Sequence, residues 1–241
     1  MPRAVVCLPT FNERDNLEPM VHALGEVIDT ARDVVLVVDD NSPDGTGEVA
    51  NRLAGELPWV QVLHRERKEG LGRAYVAAFE RALAAGAELV LEIDCDFSHD
   101  PVVVPELIAA CEGGAGVALG SRYVAGGGTR NWGLVRRIVS RGGSLYARAI
   151  LGVSVRDLTG GYKCFRREVL DAIDLGAVTT GGYAFQIEIT YRALCRGFSV
   201  VELPITFVDR AVGGSKMTGS IVAEAVWKVP VLRVRALSGR L

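Results

Sequence analysis

The sequence predicts an α/β fold, a mostly parallel sheet flanked by helices, and three observations predict it. Short runs rich in β-branched residues recur at 4–8, 34–38, 60–63, 89–93 and 116–119. The stretches between them carry helical spacing: Leu17, Met20, Val21, Leu24, Val27 and Ile28 fall at i, i+3 and i+4 on one face. Such strand–helix alternation builds parallel sheets, because each helix carries the chain back to start the next strand in the same direction. Thirdly, four of the strands end on polar residues: Pro9-Thr10-Phe11-Asn12-Glu13, Asp39-Asp40-Asn41-Ser42, Asp94-Cys95-Asp96 and Gly120-Ser121-Arg122. Sheets of this class bind ligands beyond their carboxyl ends.

The second half reads differently. Residues 126–133 are glycine-rich, and 134–151 read as a basic amphipathic helix pair. There Leu134, Val135, Ile138, Val139, Leu145 and Ile150 mix with Arg136, Arg137, Arg141 and Arg148. A mixed segment holding Gly160-Gly161 and Gly181-Gly182 follows, then a strand over 200–207, the loop "DRAVGGSK" and a basic, partly apolar closing helix. No internal repeat, low-complexity stretch or long linker divides the chain, so one domain over 1–241 is expected.

Composition excludes several functions. A formal charge of −2 argues against general attraction to nucleic acid, so any affinity for phosphate must be local. The five cysteines, Cys7, Cys95, Cys111, Cys164 and Cys195, are odd in number and lack CxxC spacing, which reads as reduced cytosolic thiols. His22, His64 and His99 are too dispersed for a zinc site. The chain enters its first strand without a basic-then-apolar leader. Glu224, Lys228 and Pro230 interrupt the best apolar run, so no membrane span is expected.

The stretch "LEIDCDFSHDP" carries the chemistry. A buried strand that ends on Asp94 and Asp96 places two repelling charges together, which a cation between them would relieve. Oxygen donors without imidazole or thiolate select Mg²⁺ or Mn²⁺, ions that usually complete their shell with substrate phosphates. Ser98 is a third candidate ligand. The bland alternative is a solvated turn, with Asp100-Pro101 starting the next helix. Asp40 at a neighbouring strand end favours the metal. A haloacid-dehalogenase-type phosphatase also carries DxD after a strand, but there the motif follows the first strand, and here Asp39-Asp40 precedes it. Arg210 and Lys216 flank Gly213-Gly214, as a loop closing over phosphates would require, although alone they would read as a surface turn. Arginines beside an apolar stripe suit lipid headgroups and a prenyl chain rather than a merely solvated face. Lys68-Glu69-Gly70-Leu71-Gly72 reads at least as well as turn geometry as it does as a phosphate loop. Cys164 reads as core, and His99 as a capping or packing residue.

Together, "LPTFNERDNL", "VVDDNSPDGTGEVA", "EIDCDFSHDP", "GSRYVAGG" and "TGGYKCFRREVL" resemble the polyprenyl-phosphate (dolichol-phosphate) mannose synthases, family-two glycosyltransferases of GT-A fold. "GGYAFQIEI", "ELPITFVDRAVGGSK" and the closing helix match too, so the resemblance spans nearly the whole chain. It implies a nucleotide-sugar-binding half over 1–125, an acceptor-binding half over 126–217 and a membrane-surface helix over 218–241. Pro9, Phe11, Glu13, Val38 and Asp40 match positions around the base and ribose, with Phe11 where a Tyr is usual. Asp94, the Cys95 backbone and Asp96 match the metal–diphosphate site, with Ser98 beside them. Arg122, Arg210 and Lys216 match groups that reach the donor's phosphates, and Arg136 and Ser140 match the holder of the acceptor's phosphate.

The implied activity is transfer of mannose from GDP-mannose to a polyprenyl or dolichyl phosphate, inverting to a β-linked product. It would take place peripherally at the cytoplasmic face of a membrane, with room for a separate anchoring subunit. Asp96 and Arg136 are the expected catalytic residues. Another donor such as UDP-glucose is the nearest alternative, and a non-catalytic nucleotide-sugar-binding subunit is one of a different class. Glu188 stands where hydroxyl-glycosylating relatives carry a base, yet a phosphate acceptor is already ionised and needs none. Glu188 is therefore expected to be structural.

Overall fold

The structure is a computed structural model that describes residues 1–178, 180–209 and 219–241, with backbone only for 219–225. In chain order the elements are β1 (Ala4–Thr10), α1 (Arg14–Val27), β2 (Val34–Asp39), α2 (Thr46–Glu56), β3 (Val60–His64), α3 (Leu71–Ala84) and β4 (Leu89–Glu92). Then come α4 (Val104–Glu112), β5 (Val117–Ser121), β6 (Gly128–Arg130), α5 (Leu134–Leu151), β7 (Lys163–Arg166) and α6 (Arg167–Ala172). The chain ends with α7 (Gly182–Cys195), β8 (Val200–Pro204), β9 (Thr206–Val208) and α8 (Gly219–Leu237). Seven strands form one sheet in the order β3-β2-β1-β4-β7-β5-β8, and β6 pairs β9 separately.

The predicted mostly parallel sheet is what forms. Its central strands, β1 and β4 among them, are buried on both faces, so their apolar residues divide between two cores. Ala4, Val6, Leu8, Leu89 and Leu91 pack with Leu17, Met20, Val21 and Leu24 of α1 and with α4. Val5, Cys7 and Val90 face the other way, onto Tyr75, Phe79 and Phe185 of α3 and α7. Each Val, Leu, Met or Phe side chain among them contributes about 1.5–3 kcal/mol through burial. Register then sets the site: Thr10 lies opposite Asp39 and Cys7 opposite Glu92, so the polar ends of β1, β2 and β4 emerge at one edge.

Three expectations are corrected. β7, absent from the predicted strands, runs antiparallel between β4 and β5; it has only four residues and begins and ends on a cation. The strand predicted over 200–207 divides at Ile205, with β8 pairing β5 and β9 pairing β6. Pro204 lacks the N–H needed to continue a ladder. The helix pair predicted over 134–151 is one continuous helix, α5; Gly142 and Gly143 weaken it without breaking it.

The inserted β7 brings a full charge into the core. Lys163 and Glu92 form an ion pair at 2.8 Å with no exposure of either side chain. Lys163 also donates to the Gly160 carbonyl at 2.6 Å and to the Gln186 side-chain oxygen. Burial pushes the Glu92 carboxyl up and the Lys163 ammonium down, each opposed by the attraction of the other. Removing one partner of such a pair strands the other. Lys163→Met should therefore cost about 3–5 kcal/mol in denaturant unfolding, and adding Glu92→Leu should restore part of that loss. A single variant as stable as the parent would mean the pair carries no charge.

Candidate active site

Beyond the carboxyl ends of the strands lies a cleft of about 490 Å³. The turns that build its floor are strained: Asn12, Asn41 and Phe97 all adopt left-handed backbone, with φ of 58°, 56° and 58°. Asn tolerates that region, but a bulky Phe does not adopt it without compensation. At Phe97 the turn brings the Ser98 N–H to within 3.0 Å of Asp96 Oδ1. Strain of this kind persists where the surroundings hold a loop to one geometry.

Pro9, Phe11, Glu13, Asp40, Asp94, Cys95 and Asp96 all line the cleft, as do Arg122 and Arg136. Asp40 accepts from Arg65 at 2.6 Å, and its pKa is raised by burial against the pull of that guanidinium. Lys68 Nζ sits 3.8 Å from the centre of the Phe11 ring. Asp94 accepts from the Tyr75 hydroxyl at 3.4 Å. His99 Nδ1 is 3.8 Å from Asp94, but burial pushes the imidazole down to about 4 despite the opposing charge of Asp96. A neutral ring makes no ion pair there; it packs on Tyr162 and Phe207 at 4.9 and 5.1 Å, the packing role expected of it. Asp100 caps the turn at Pro101–Val103, which is the capping part of the bland alternative, and Cys164 is core, as expected.

The two arginines differ. Arg122 is buried and gives three hydrogen bonds to Asp157 at 2.6–2.9 Å, and a fourth to Thr159. Burial disfavours its charge, yet Asp157 leaves the guanidinium more firmly protonated than usual. Arg136 gives one bond, from Nη1 to Asp209 at 2.6 Å, and stacks on Trp132 with its central carbon 4.2 Å from the ring centre.

Other expected residues are not brought to the cleft wall. Val38 is fully buried in the core, in the cluster that β2 shares with Ala74 and Tyr75 of α3. Ser98 is buried, with its N–H turned to Asp96 and its carbonyl to Val208. Ser140 accepts from the Tyr123 hydroxyl at 2.7 Å. Arg210 and Lys216 lie outside the described residues. Glu188 is buried away from the wall, accepting from Thr180 at 2.7 Å and pairing with Arg192 at 2.7 Å, the structural role expected of it.

Sequence reasoning missed Lys68, Gly70, Leu71, Trp132, Thr159, Tyr183, Gln186 and Phe207, all on the wall. The Lys68–Gly72 stretch reads at least as well as a turn in the sequence, which leaves it outside the expected site. Gly72 has a packing reason too: a Cβ there would meet the Thr180 carbonyl at 2.6 Å. Nothing marked a lone Trp in a glycine-rich run.

As a metal site, the turn after β4 offers the carboxylates of Asp94 and Asp96. Among the described residues no group of three or more His, Cys, Asp or Glu gathers to hold an ion. Such a donor set fits a hard divalent cation that keeps most of its shell for water and phosphate, not one caged by protein.

Residues 5–174 match the model of glycosyl transferase family 2. The chain belongs to that family. It is 48% identical over 241 residues to the polyprenol monophosphomannose synthase of Mycolicibacterium smegmatis, covering 99% of this chain and 89% of the relative. It is 46% identical to the undecaprenyl-phosphate mannosyltransferase of Micrococcus luteus, covering 94% and 92%. A dolichol-phosphate mannosyltransferase of Pyrococcus furiosus matches at 34%, with 91% of this chain covering 60% of that protein. The chain is thus a glycosyltransferase of the polyprenyl-phosphate mannose synthase branch. Among solved structures, glucosyl-3-phosphoglycerate synthase of Mycobacterium tuberculosis with Mn²⁺, UDP-glucose and phosphoglyceric acid superposes with a TM-score of 0.69. The identity is 21%, over 96% of this chain and 79% of that one. That likeness shows the GT-A fold alone.

Proposed function

We propose that the protein transfers mannose from GDP-mannose to a polyprenyl phosphate at the cytoplasmic face of a membrane, with inversion to the β-linked product. One observation carries this reading. A single cleft joins Asp94 and Asp96 at the end of β4 to Arg136 on α5, a helix whose opposite face is exposed and apolar. The relatives named for mannosyl transfer to polyprenol or undecaprenyl phosphate support the sugar and the acceptor class.

In this reading Phe11 and Lys68 form a face for the base, and Asp40, steadied by Arg65, accepts from its edge. Pro9 and Glu13 border the ribose. Asp94 and Asp96 hold Mg²⁺ or Mn²⁺, and the ion, when bound, supplies positive charge to the departing diphosphate. Arg122 adds a fixed positive charge at the cleft wall, while Arg210 and Lys216 are assigned to the diphosphate by resemblance. Arg136 grips the acceptor's phosphate and lets two anions approach each other.

Helical period gives α5 its second task. At 100° per residue, Leu134, Ile138, Arg141 and Leu145 share one face and Arg136 lies opposite. The outer face stays open, with Leu134 and Leu145 72% and 63% exposed. Apolar residues interleaved with Arg137 and Arg141 suit an anionic lipid surface. No helix among the described residues is long and apolar enough to cross a membrane.

Three outcomes are expected. Excess chelator, or Asp96→Asn, should abolish transfer in a radiolabelled GDP-mannose assay while circular dichroism stays unchanged. Full activity in chelator would remove the metal role. The second concerns the base. A phosphate monoester has a second pKa of about 6, so it gains little of the ~10²–10⁴-fold that a general base supplies. Glu188→Gln should lower stability, since it strands Arg192, but keep kcat within about tenfold, with no new pH dependence above about pH 7. A thousandfold loss in a folded variant that still binds both substrates would refute base-free attack. Thirdly, the protein should float with vesicles of anionic phospholipid, and Leu134→Glu with Ile138→Glu should release it. Flotation unchanged in that variant would place the membrane contact elsewhere.

A further inference from the structure

Three nitrogens on the cleft wall are buried donors without a hydrogen-bond partner, Gln186 Nε2, Trp132 Nε1 and Arg136 Nε, and the last two belong to side chains stacked on each other. Buried N–H groups are nearly always paired. Two unpaired donors on one stacked Trp–Arg pair mark a place where the acceptor comes from outside the chain. Trp132 is only 4% exposed. Phe207 holds its ring edge-on at 5.2 Å, and the Arg122 guanidinium lies 5.5 Å from its centre, so the indole is fixed rather than loose.

The guanidinium points the same way. Asp209 engages Nη1 alone, and among the described residues neither Nε nor Nη2 donates to anything. The Nε–Nη2 edge presents two parallel N–H groups, the fork that grips two oxygens of a phosphate. Ser140, matched to this task by resemblance, instead receives the Tyr123 proton and is not on the wall.

We infer that Trp132 is a ligand of the acceptor's phosphate. Its indole N–H donates to one phosphate oxygen while the Nε–Nη2 edge of Arg136 takes the others. Asp209 is a positioning residue that holds the guanidinium by its far nitrogen and turns the open edge to the acceptor. A phosphate monoester offers three oxygens on one centre, which matches three donors of which two are parallel. The inference deepens the acceptor reading above and rests on it.

Trp132→Phe tests it by deleting the N–H and keeping a ring under Arg136. The expected result is a rise of about tenfold in KM for a polyprenyl phosphate, the effect of one lost hydrogen bond to a charged group. The GDP-mannose Kd, from calorimetry, should stay within about twofold, and the thermal midpoint should not fall, since an unpaired donor has gone. Arg136→Lys, which keeps the charge but loses the fork, should raise the same KM. Where transfer to polyprenyl phosphate occurs, an unchanged acceptor KM in folded Trp132→Phe overturns the inference and leaves the proposed function standing. Should that variant not fold, the wild-type protein decides. Its three indoles give separable ¹⁵N–¹H signals, assigned with Trp59→Phe and Trp227→Phe. Titration with a short-chain polyprenyl phosphate should move the Trp132 signal, and a signal that stays put overturns the inference. Complete absence of transfer to any polyprenyl phosphate would instead sink the function proposed above.

Discussion

Glu92 and Lys163 lose all contact with water where β4 meets β7, and a charge buried so completely tolerates few arrangements of its surroundings. Desolvation costs several kcal/mol per ion unless partner and hydrogen bonds are in place. The pair therefore ties together the elements that supply them. Glu92 stands two residues before Asp94, so the strand that delivers the acids is anchored at its base. Lys163 belongs to β7, which runs antiparallel between β4 and β5, and β5 leads to Arg122. Gly160 and Gln186 complete the ammonium's shell, and Gln186 and the adjoining Gly161 lie on the cleft wall. One ion pair beneath the floor thus fixes the spacing of acids, arginine and rear wall.

The parallel half is legible in the sequence because its β-branched runs are short and apolar, and helical patterns follow those of β1, β2, β3 and β4. The sequence hides β7, whose four residues carry a lysine that belongs in the core and arginine at the other end. No periodicity marks a strand whose inward charge is neutralised by a residue 71 positions away. The same limit governs the site. Asp94 and Asp96 were readable since a pair of acids closing an apolar strand is itself improbable. Val38 and Ser140 were placed by matching positions, which gives an address along the chain but no direction for the side chain. Trp132 was invisible for a different reason: a single aromatic acquires meaning only when Arg136 is found on its face.

α5 shows how one helix serves two surroundings. Its inner stripe is Arg136, Ser140, Ser144, Ala147 and Leu151, at intervals of three and four, and it turns from polar at the cleft to apolar where it packs on α7 and α8. The outer stripe is mostly apolar, with Arg137 and Arg141 among its large side chains, and Leu134, Ile138 and Leu145 on it are exposed. A soluble helix with that pattern would bury the apolar stripe and expose the arginines. Here only the apolar half of that pattern is inverted, because the small residues Ser144 and Ala147 are what the protein interior accepts at close approach, leaving the large apolar side chains outside beside Arg137 and Arg141. The inversion is costly in water, and it accords with the proposed contact between the outer face and lipid, which would set Arg136 directly behind the lipid surface.

The two cleft arginines divide the electrostatic work through their partners. Arg122 is spent on Asp157 through three hydrogen bonds, and Asp157 is in turn fixed by its own N–H on Glu202. Moving that guanidinium onto a substrate would strand a fully buried carboxylate, a penalty of several kcal/mol. Arg122 therefore acts in place, as a static part of the wall. Arg136 has one bonded carboxylate, and that one is about a third exposed, with 31% of the Asp209 side chain open to water. Water can solvate Asp209 as Arg136 shifts, so the guanidinium can adjust to an incoming anion at small cost. A catalyst that must bring two negatively charged reactants together needs both kinds of cation. The fixed one sets the field before either substrate arrives, and the adjustable one follows the reactant that has to move.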